Sequence, residues 1–199
     1  QDRSVLELMR GCIRGCRFCQ AGNVYRPQRE HSVEYLKRYA EKLLKITGNE
    51  EISLSSLSSS DYSRLQEFLE YLIQYTKERK INISLPSLRI DAFSLDVMQR
   101  IQDVKKSSLT FAPEAGTQRL RDVINKGITE EDIMRGVSSA FHGGWTKVKF
   151  YFRLGLPTET EEDRKGIPDL CERVADLFYD EIPKSERVGR VQISASCSF

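Results

Sequence analysis

Three cysteine thiols fall within eight residues near the amino terminus, at Cys12, Cys16 and Cys19. Thiolates are common protein ligands of iron-sulfur clusters and of zinc, so this spacing predicts a metal site. A structural zinc site or a ferredoxin-type cluster has four protein ligands, and the loose candidates for a fourth are His31 and Cys197. Three cysteines therefore favour an iron-sulfur cluster with one open iron. There are two alternatives: an electron carrier whose fourth ligand comes from Cys197 or from a partner chain, and a zinc-stabilised binding module.

Small and basic residues surround these cysteines. The glycines allow the loop to wrap closely around a metal centre, and the arginines are expected to favour the thiolate form and to offset negative charge. The residues concerned are Gly11 and Gly15, and Arg10, Arg14 and Arg17.

Composition limits the class of protein. The chain has 199 residues, of which 39% are apolar, so it can bury a substantial core as one globular unit. Its formal charge of +2 gives no indication of a nucleic-acid partner. It contains neither an apolar run of membrane-spanning length nor a signal peptide at its start, and five cysteines suit a reducing compartment. We therefore expect a cytoplasmic protein.

Strand-like and helix-like patterns alternate six times along the chain. Apolar, β-favouring runs occur at about 4–9, 51–55, 81–85, 107–111, 146–152 and 190–195. Helical spacing follows each of the first five, and such alternation is typical of right-handed βαβ units in a parallel sheet. Six units are fewer than the eight of a closed barrel. The pattern thus predicts one α/β domain with an open or incomplete barrel.

Helix signals punctuate the segments between these strands. The predicted N-caps are Ser32, Asp61, Ser94 and Thr129. A last helix is expected to begin near 158–160. Gly166 and Pro168 are expected to kink or break it, because proline lacks a backbone donor and clashes with the preceding turn.

The cysteine loop follows the first predicted strand, at the edge of a parallel sheet where functional loops collect. Its pattern C-x-x-x-C-x-aromatic-C, with Phe18 at the aromatic position, resembles the radical S-adenosylmethionine (SAM) superfamily. The resemblance implies a partial (β/α)6 TIM-like barrel of parallel strands. It also implies a [4Fe-4S] cluster on the three cysteines, whose open iron is chelated by SAM and whose electron cleaves SAM to methionine and a 5′-deoxyadenosyl radical.

Further motifs match the same superfamily. The serine-rich turn after the second strand implies that Ser56 and Ser58 contact the amino group of SAM, although a plain polar turn would look the same. After the fourth strand, Glu114 matches the residue that holds the ribose or methionine end of SAM, and Lys126 matches the basic residue near its carboxylate. Many relatives have serine at Ala115 and arginine at Lys126, so this chain departs from the pattern at both positions.

The fifth strand leads into the string Gly-Leu-Pro-Thr-Glu-Thr at 155–160. This string resembles the tRNA methylthiotransferase and cobalamin-dependent branches of the superfamily, in which Gly155 would allow close approach to the adenine. Arg89 and Arg153 are weaker candidates for substrate contacts.

The likeness covers nearly the whole chain and is greatest to an uncharacterised family of cobalamin-binding-domain radical SAM proteins. It implies that residues 1–199 are the radical SAM core of a longer protein, that cobalamin belongs to that longer protein only, and that a flavodoxin or ferredoxin donates electrons. Methyl or methylthio transfer is among the implied reactions, with the substrate unknown.

Overall fold

The computed structural model describes residues 2–85, 89–90, 109–187 and 189–199. The helix predicted to start at Ser94 lies outside these residues. The described chain divides into two compact units. The first contains residues 2–13 and 20–85, and the second contains residues 14–19, 89–90, 109–187 and 189–199.

The first unit is built around a three-stranded parallel sheet. The strands of the whole unit are β1 (Ser4–Glu7), β2 (Met9–Arg10), β3 (Arg29–Glu30), β4 (Glu51–Ser55) and β5 (Asn82–Ser84). Its helices are α1 (Ala21–Val24), α2 (Val33–Thr47) and α3 (Leu65–Lys77). The parallel sheet has the strand order β1-β4-β5. The apolar faces of α2 and α3 form one hydrophobic core together with the side chains of this sheet. β2 and β3 pair antiparallel, which the hydrophobic pattern did not predict.

The capping prediction for α2 is confirmed. Ser32 accepts a hydrogen bond from the backbone of Tyr35, and Gly48 ends the helix in the left-handed conformation. The prediction that Asp61 caps α3 is wrong, because Asp61 lies in a 3-10 turn (Ser59–Asp61) and the helix begins four residues later.

Tertiary contacts explain the later start of α3. Tyr62 is buried and donates its hydroxyl hydrogen to the carbonyl of His31. Ser63 donates both its backbone N–H and its hydroxyl to the carboxylate of Glu30. These contacts hold residues 62–63 outside the helix, and a local capping rule does not include them.

The second unit is built around another three-stranded parallel sheet, with the order β6-β7-β8. Its strands are β6 (Leu109–Glu114), β7 (Lys147–Arg153) and β8 (Gln192–Ser198). Its helices are α4 (Gln118–Val123), α5 (Glu130–His142) and α6 (Glu161–Glu181). The register of β6 against β7 shifts between Phe111 and Glu114, so the last residues of β6 leave the regular ladder.

The three helices that the structure describes in this unit begin at threonine caps. Thr117, Thr129 and Thr160 each accept a backbone hydrogen bond from the first turn, and the last two form full capping boxes. The N-cap predicted at Thr129 is confirmed. The last helix is not broken at Gly166 or Pro168, since α6 continues through both residues to Glu181. A buried apolar stripe along α6 offsets the missing hydrogen bond; it consists of Ile167, Leu170, Val174 and Phe178.

All six predicted strands are present as parallel strands, in two sheets of three, which confirms the α/β class. In the described part of the chain, no helix combines the length and the apolar character that a membrane crossing needs.

Candidate functional site

The second half of the cysteine motif forms a tight turn in the second unit. The backbone N–H of Cys19 donates to the carbonyl of Cys16 at 3.1 Å, with Arg17 and Phe18 between them. Cys16 is buried and Cys19 is half-buried. The two thiols that the sequence spaces as C-x-x-C are therefore carried by one compact backbone turn, which we call the cysteine turn (residues 15–19).

Cys12 belongs to the first unit, where it is half-buried at the start of the cysteine loop. The antiparallel pair β2–β3 closes the base of this loop. Gly11 has φ +89°, and a β-carbon there would lie 2.3 Å from the carbonyl oxygen of Tyr25. Only glycine fits this approach, so the loop closes immediately before the first cysteine.

No group of three or more His, Cys, Asp or Glu side chains in metal-binding proximity is found among the described residues. The ligand set of Cys12, Cys16 and Cys19 therefore stays a prediction. By donor chemistry the set does fit an iron-sulfur cluster, because it offers three thiols and residues 11–19 contain no carboxylate.

Phe18 anchors the cysteine turn in the second unit. Its ring packs against a buried apolar cluster formed by Ala115, Leu120, Ile124 and Leu156. Two cations face the same ring, with the Arg153 guanidinium 4.8 Å and the Lys126 ammonium 5.8 Å from its centre. The aromatic residue of the motif thus holds the turn and borders a charged site.

Glu114 lies between these two cations. Its Oε1 is 3.1 Å from Lys126 Nζ, and its Oε2 is 3.2 Å from Arg153 Nε. The side chains of Glu114 and Lys126 are about 13% and 12% exposed, so water screens their attraction less than it screens a surface pair. The structure brings together four residues that the sequence singled out: Phe18, Glu114, Lys126 and Arg153.

Arg153 keeps hydrogen-bonding capacity in this arrangement. Its Nε is buried and, in the described part of the chain, makes no hydrogen bond of good geometry, although Glu114 is close. Its side chain is 43% exposed. The guanidinium of Arg153 therefore has hydrogen-bond donors available for an anionic partner such as a carboxylate.

Other predicted site residues lie elsewhere in the two units. In the first unit, Ser56 shares a hydrogen bond with Ser59, and the buried hydroxyl of Ser58 has no hydrogen-bond partner among the described residues. In the second, Arg89 donates to the carbonyl of Gly127 at 3.2 Å. Their predicted roles toward SAM or substrate stay predictions.

Gly155 stands at the turn after β7. Its φ is +77°, and its N–H donates to the carboxylate of Glu159 at 2.9 Å. The acidic string after Gly155 therefore closes its own turn. Glu159 and its role as a hydrogen-bond acceptor were not identified from the sequence.

The arginines near the cysteines have structural partners. Arg10 forms an ion pair with Glu7 at 2.7 Å, and Arg17 donates to the carbonyl of Val123 at the end of α4. Asn125 was also missed, although an asparagine just after a helix is a known signal for a left-handed cap. It donates from Nδ2 to the carbonyl of Gly15 at 2.8 Å.

The segment that follows Glu114 is held by buried charges. Arg121 is fully buried and donates to the carbonyls of Ala115 and Gly116 at 3.0 and 3.2 Å. Burial lowers the pKa of Arg121 below the ordinary value of an arginine side chain. A side chain of α4 therefore holds in place the backbone that directly follows Glu114.

Asp163, in the first turn of α6, joins the starts of two helices. It accepts hydrogen bonds from Thr117, Arg119 and its own cap Thr160. Burial alone would raise the pKa of Asp163, but the hydrogen bonds from Arg119 and Thr117 outweigh it and hold that pKa well below its usual range.

Comparison with known proteins finds relatives that align with most of this chain. An uncharacterized protein of Methanocaldococcus jannaschii is 38% identical over 170 residues, which cover 85% of this chain and 37% of the relative. A putative methylthiotransferase of the same organism is 27% identical, over 89% of this chain and 40% of its own length. The chain thus spans about two fifths of the curated relatives that it matches.

A solved structure shows the same fold. The radical SAM methyltransferase TsrM from Kitasatospora setae, with cobalamin and a [4Fe-4S] cluster bound, aligns with a TM-score of 0.67 at 14% identity, over 86% of this chain and 34% of TsrM. The family model described as the radical SAM superfamily matches residues 6–171. This chain therefore belongs to the radical SAM superfamily, whose members are enzymes that use a [4Fe-4S] cluster and SAM.

Proposed function

We propose that this chain is the cofactor-binding core of a radical SAM enzyme and that Cys12, Cys16 and Cys19 hold its [4Fe-4S] cluster. The observation that carries the proposal is the cysteine turn anchored by Phe18, with Glu114, Lys126 and Arg153 gathered around the same ring. When bound, the cluster would supply the electron that cleaves SAM to a 5′-deoxyadenosyl radical.

The charged residues suit the two ends of SAM. SAM carries an ammonium group, a carboxylate and ribose hydroxyls, and Glu114 can accept hydrogen bonds from the ammonium or the hydroxyls. Lys126 and the available donors of Arg153 can bind the carboxylate. The Phe18 ring, which both cations face, would shield one side of these groups from water.

The longer protein would use this core for group transfer. A curated relative is named a putative methylthiotransferase, and the structural neighbour TsrM is a methyltransferase. We therefore place the reaction in the class of methyl or methylthio transfer, with cobalamin confined to the longer protein. A small electron-transfer protein such as flavodoxin or ferredoxin would reduce the cluster.

Anaerobic reconstitution with iron and sulfide tests this proposal. We expect about four irons per chain for the wild type, a brown chromophore, and 5′-deoxyadenosine after addition of SAM and dithionite. The substitutions Cys12→Ala, Cys16→Ala and Cys19→Ala should each abolish the chromophore, whereas the control Cys171→Ala should keep it. A wild-type chain without bound iron, or one that never releases 5′-deoxyadenosine, contradicts the proposal.

A further inference from the structure

The cysteine turn is bonded to the carboxyl end of α4 by its backbone. The N–H of Arg17 donates to the carbonyl of Ile124 at 2.8 Å, and the amide of Asn125 donates to the carbonyl of Gly15 at 2.8 Å. The Arg17 guanidinium adds a third bond, to the carbonyl of Val123. Helix-end carbonyls have no partners within the helix, so these contacts satisfy groups that would otherwise need water.

Residues 124–126, which follow α4, also contact Glu114 through the side chain of Lys126. Lys126 directly follows Asn125, and its ammonium lies 3.1 Å from the Glu114 carboxylate. Backbone hydrogen bonds fix these residues, because the N–H of Asn125 donates to the carbonyl of Asp122 and the N–H of Lys126 donates to the carbonyl of Arg121. A shift of residues 124–126 would therefore move both the cysteine turn and Lys126, the ion-pair partner of Glu114.

Asn125 has the residue type that this position requires. Its φ is +51°, in the left-handed region that asparagine tolerates better than most side chains. This conformation aims its amide at Gly15, where a β-carbon would lie 3.0 Å from Asn125 Nδ2. The close fit means that a side chain at position 15 and the amide at position 125 compete for the same space.

We infer that Asn125 is a positioning residue, which sets the cysteine turn relative to Glu114 so that a ligand can contact both. The inference deepens the proposed function and rests on it. It assigns to the carboxyl end of α4 a role in cofactor binding beyond the charge of Lys126.

The test uses Asn125→Gly, which keeps the left-handed backbone and removes the amide donor. In the iron-free chain we expect the Arg17 amide to exchange its hydrogen about threefold to tenfold faster, as the loss of one hydrogen bond implies. In the reconstituted chain we expect normal iron content and a dissociation constant for SAM raised about threefold to tenfold, measured by calorimetry. Unfolding in urea should show that global stability is unchanged.

Lys80→Gly is the matched control, since Lys80 also has a left-handed backbone (φ +54°) but lies in the first unit. It should change neither measurement. Unchanged exchange and unchanged SAM affinity in Asn125→Gly overturn the inference. A wild-type chain that binds no iron contradicts the proposed function instead, and the exchange measurement on the iron-free chain still decides the anchoring.

A double substitution sharpens the test. Gly15→Ala alone should loosen the cysteine turn, because the new methyl group crowds the Asn125 amide. In the Asn125→Gly background that crowding is gone, so Gly15→Ala should add little to amide exchange or SAM affinity. Strictly additive effects would show that the two positions do not interact and would overturn the inference.

Discussion

Glu114 adopts a backbone conformation that is unfavourable for its residue type. Its φ of +69° lies in the left-handed region, which costs of the order of 1 kcal/mol or more for a side chain other than glycine or asparagine. The irregular end of β6 imposes this conformation. The Glu114 carboxylate then forms ion pairs with Lys126 and Arg153. Strain of this kind persists where the surrounding structure fixes it, and it commonly marks functional sites.

Removing the charge of Glu114 should weaken SAM binding. Glu114→Gln keeps the shape but loses the attraction for Lys126 and Arg153, so both cations lose the group that orients them. We expect about a tenfold rise in the SAM dissociation constant of the reconstituted chain, measured by calorimetry, with unchanged iron content. The matched control Glu131→Gln removes an exposed charge from α5 and should have no effect. An unaltered SAM affinity in Glu114→Gln would rule out this role.

At the scale of elements, Asp163 connects the first turns of α4 and α6. The substitution Asp163→Asn should destabilise the chain by about 1–2 kcal/mol at neutral pH, because it removes a helix cap and charge-assisted hydrogen bonds. Urea unfolding of the two proteins measures the difference in free energy.

The destabilisation by Asp163→Asn should depend on pH. The pKa of Asp163 is lower in the folded chain than in the unfolded chain, where it is about 3.9. The stabilisation by the carboxylate is therefore complete above about pH 5 and is lost as the pH falls through the folded pKa. The exposed Asp169→Asn on the same helix is the control. A difference that stays constant down to pH 2.5 would contradict this assignment.

Pro168 lies exposed in the interior of α6. Proline in a helix interior costs about 3 kcal/mol relative to alanine, and the stiffer unfolded chain returns about 1 kcal/mol of that. Pro168→Ala should therefore raise the stability by about 1–2 kcal/mol, seen as a higher midpoint in thermal unfolding. Glu172→Ala, an exposed substitution in the same helix, should change it little. A lower midpoint for Pro168→Ala would mean that the proline itself stabilises the helix.

Across the whole molecule, periodicity predicted strands such as β6 and β7, in which buried apolar residues alternate with more exposed ones. β5 and β8 have no buried residue and were predicted from their apolar, β-favouring runs. Local rules also predicted the caps at Ser32 and Thr129, where a side chain bonds its own helix. They failed at Asp61, where residues distant in sequence hold the chain outside α3. A break at Pro168 is absent, because burial of the apolar stripe of α6 outweighs the lost hydrogen bond.

The site was predictable to the extent that its chemistry follows from residue type and a known spacing. Phe18, Glu114 and Lys126 were found by motif, and the structure brings them together. Asn125 was missed because its contact with Gly15 joins residues 110 positions apart. Contacts at such separations depend on the fold and leave no periodic signal in the sequence.

Metal loading should stabilise the chain as a whole if the cysteines bind the cluster only in the folded state. A ligand at about 100 times its dissociation constant adds about 2.7 kcal/mol, and for a chain of this size each kcal/mol raises the thermal midpoint by about 2–4 °C. We therefore expect reconstituted wild type to unfold about 5–10 °C above the iron-free chain, with the same rise in Cys171→Ala and none in Cys12→Ala. An equal rise in Cys12→Ala would show that the stabilising metal does not need Cys12, because iron bound elsewhere would stabilise both variants alike.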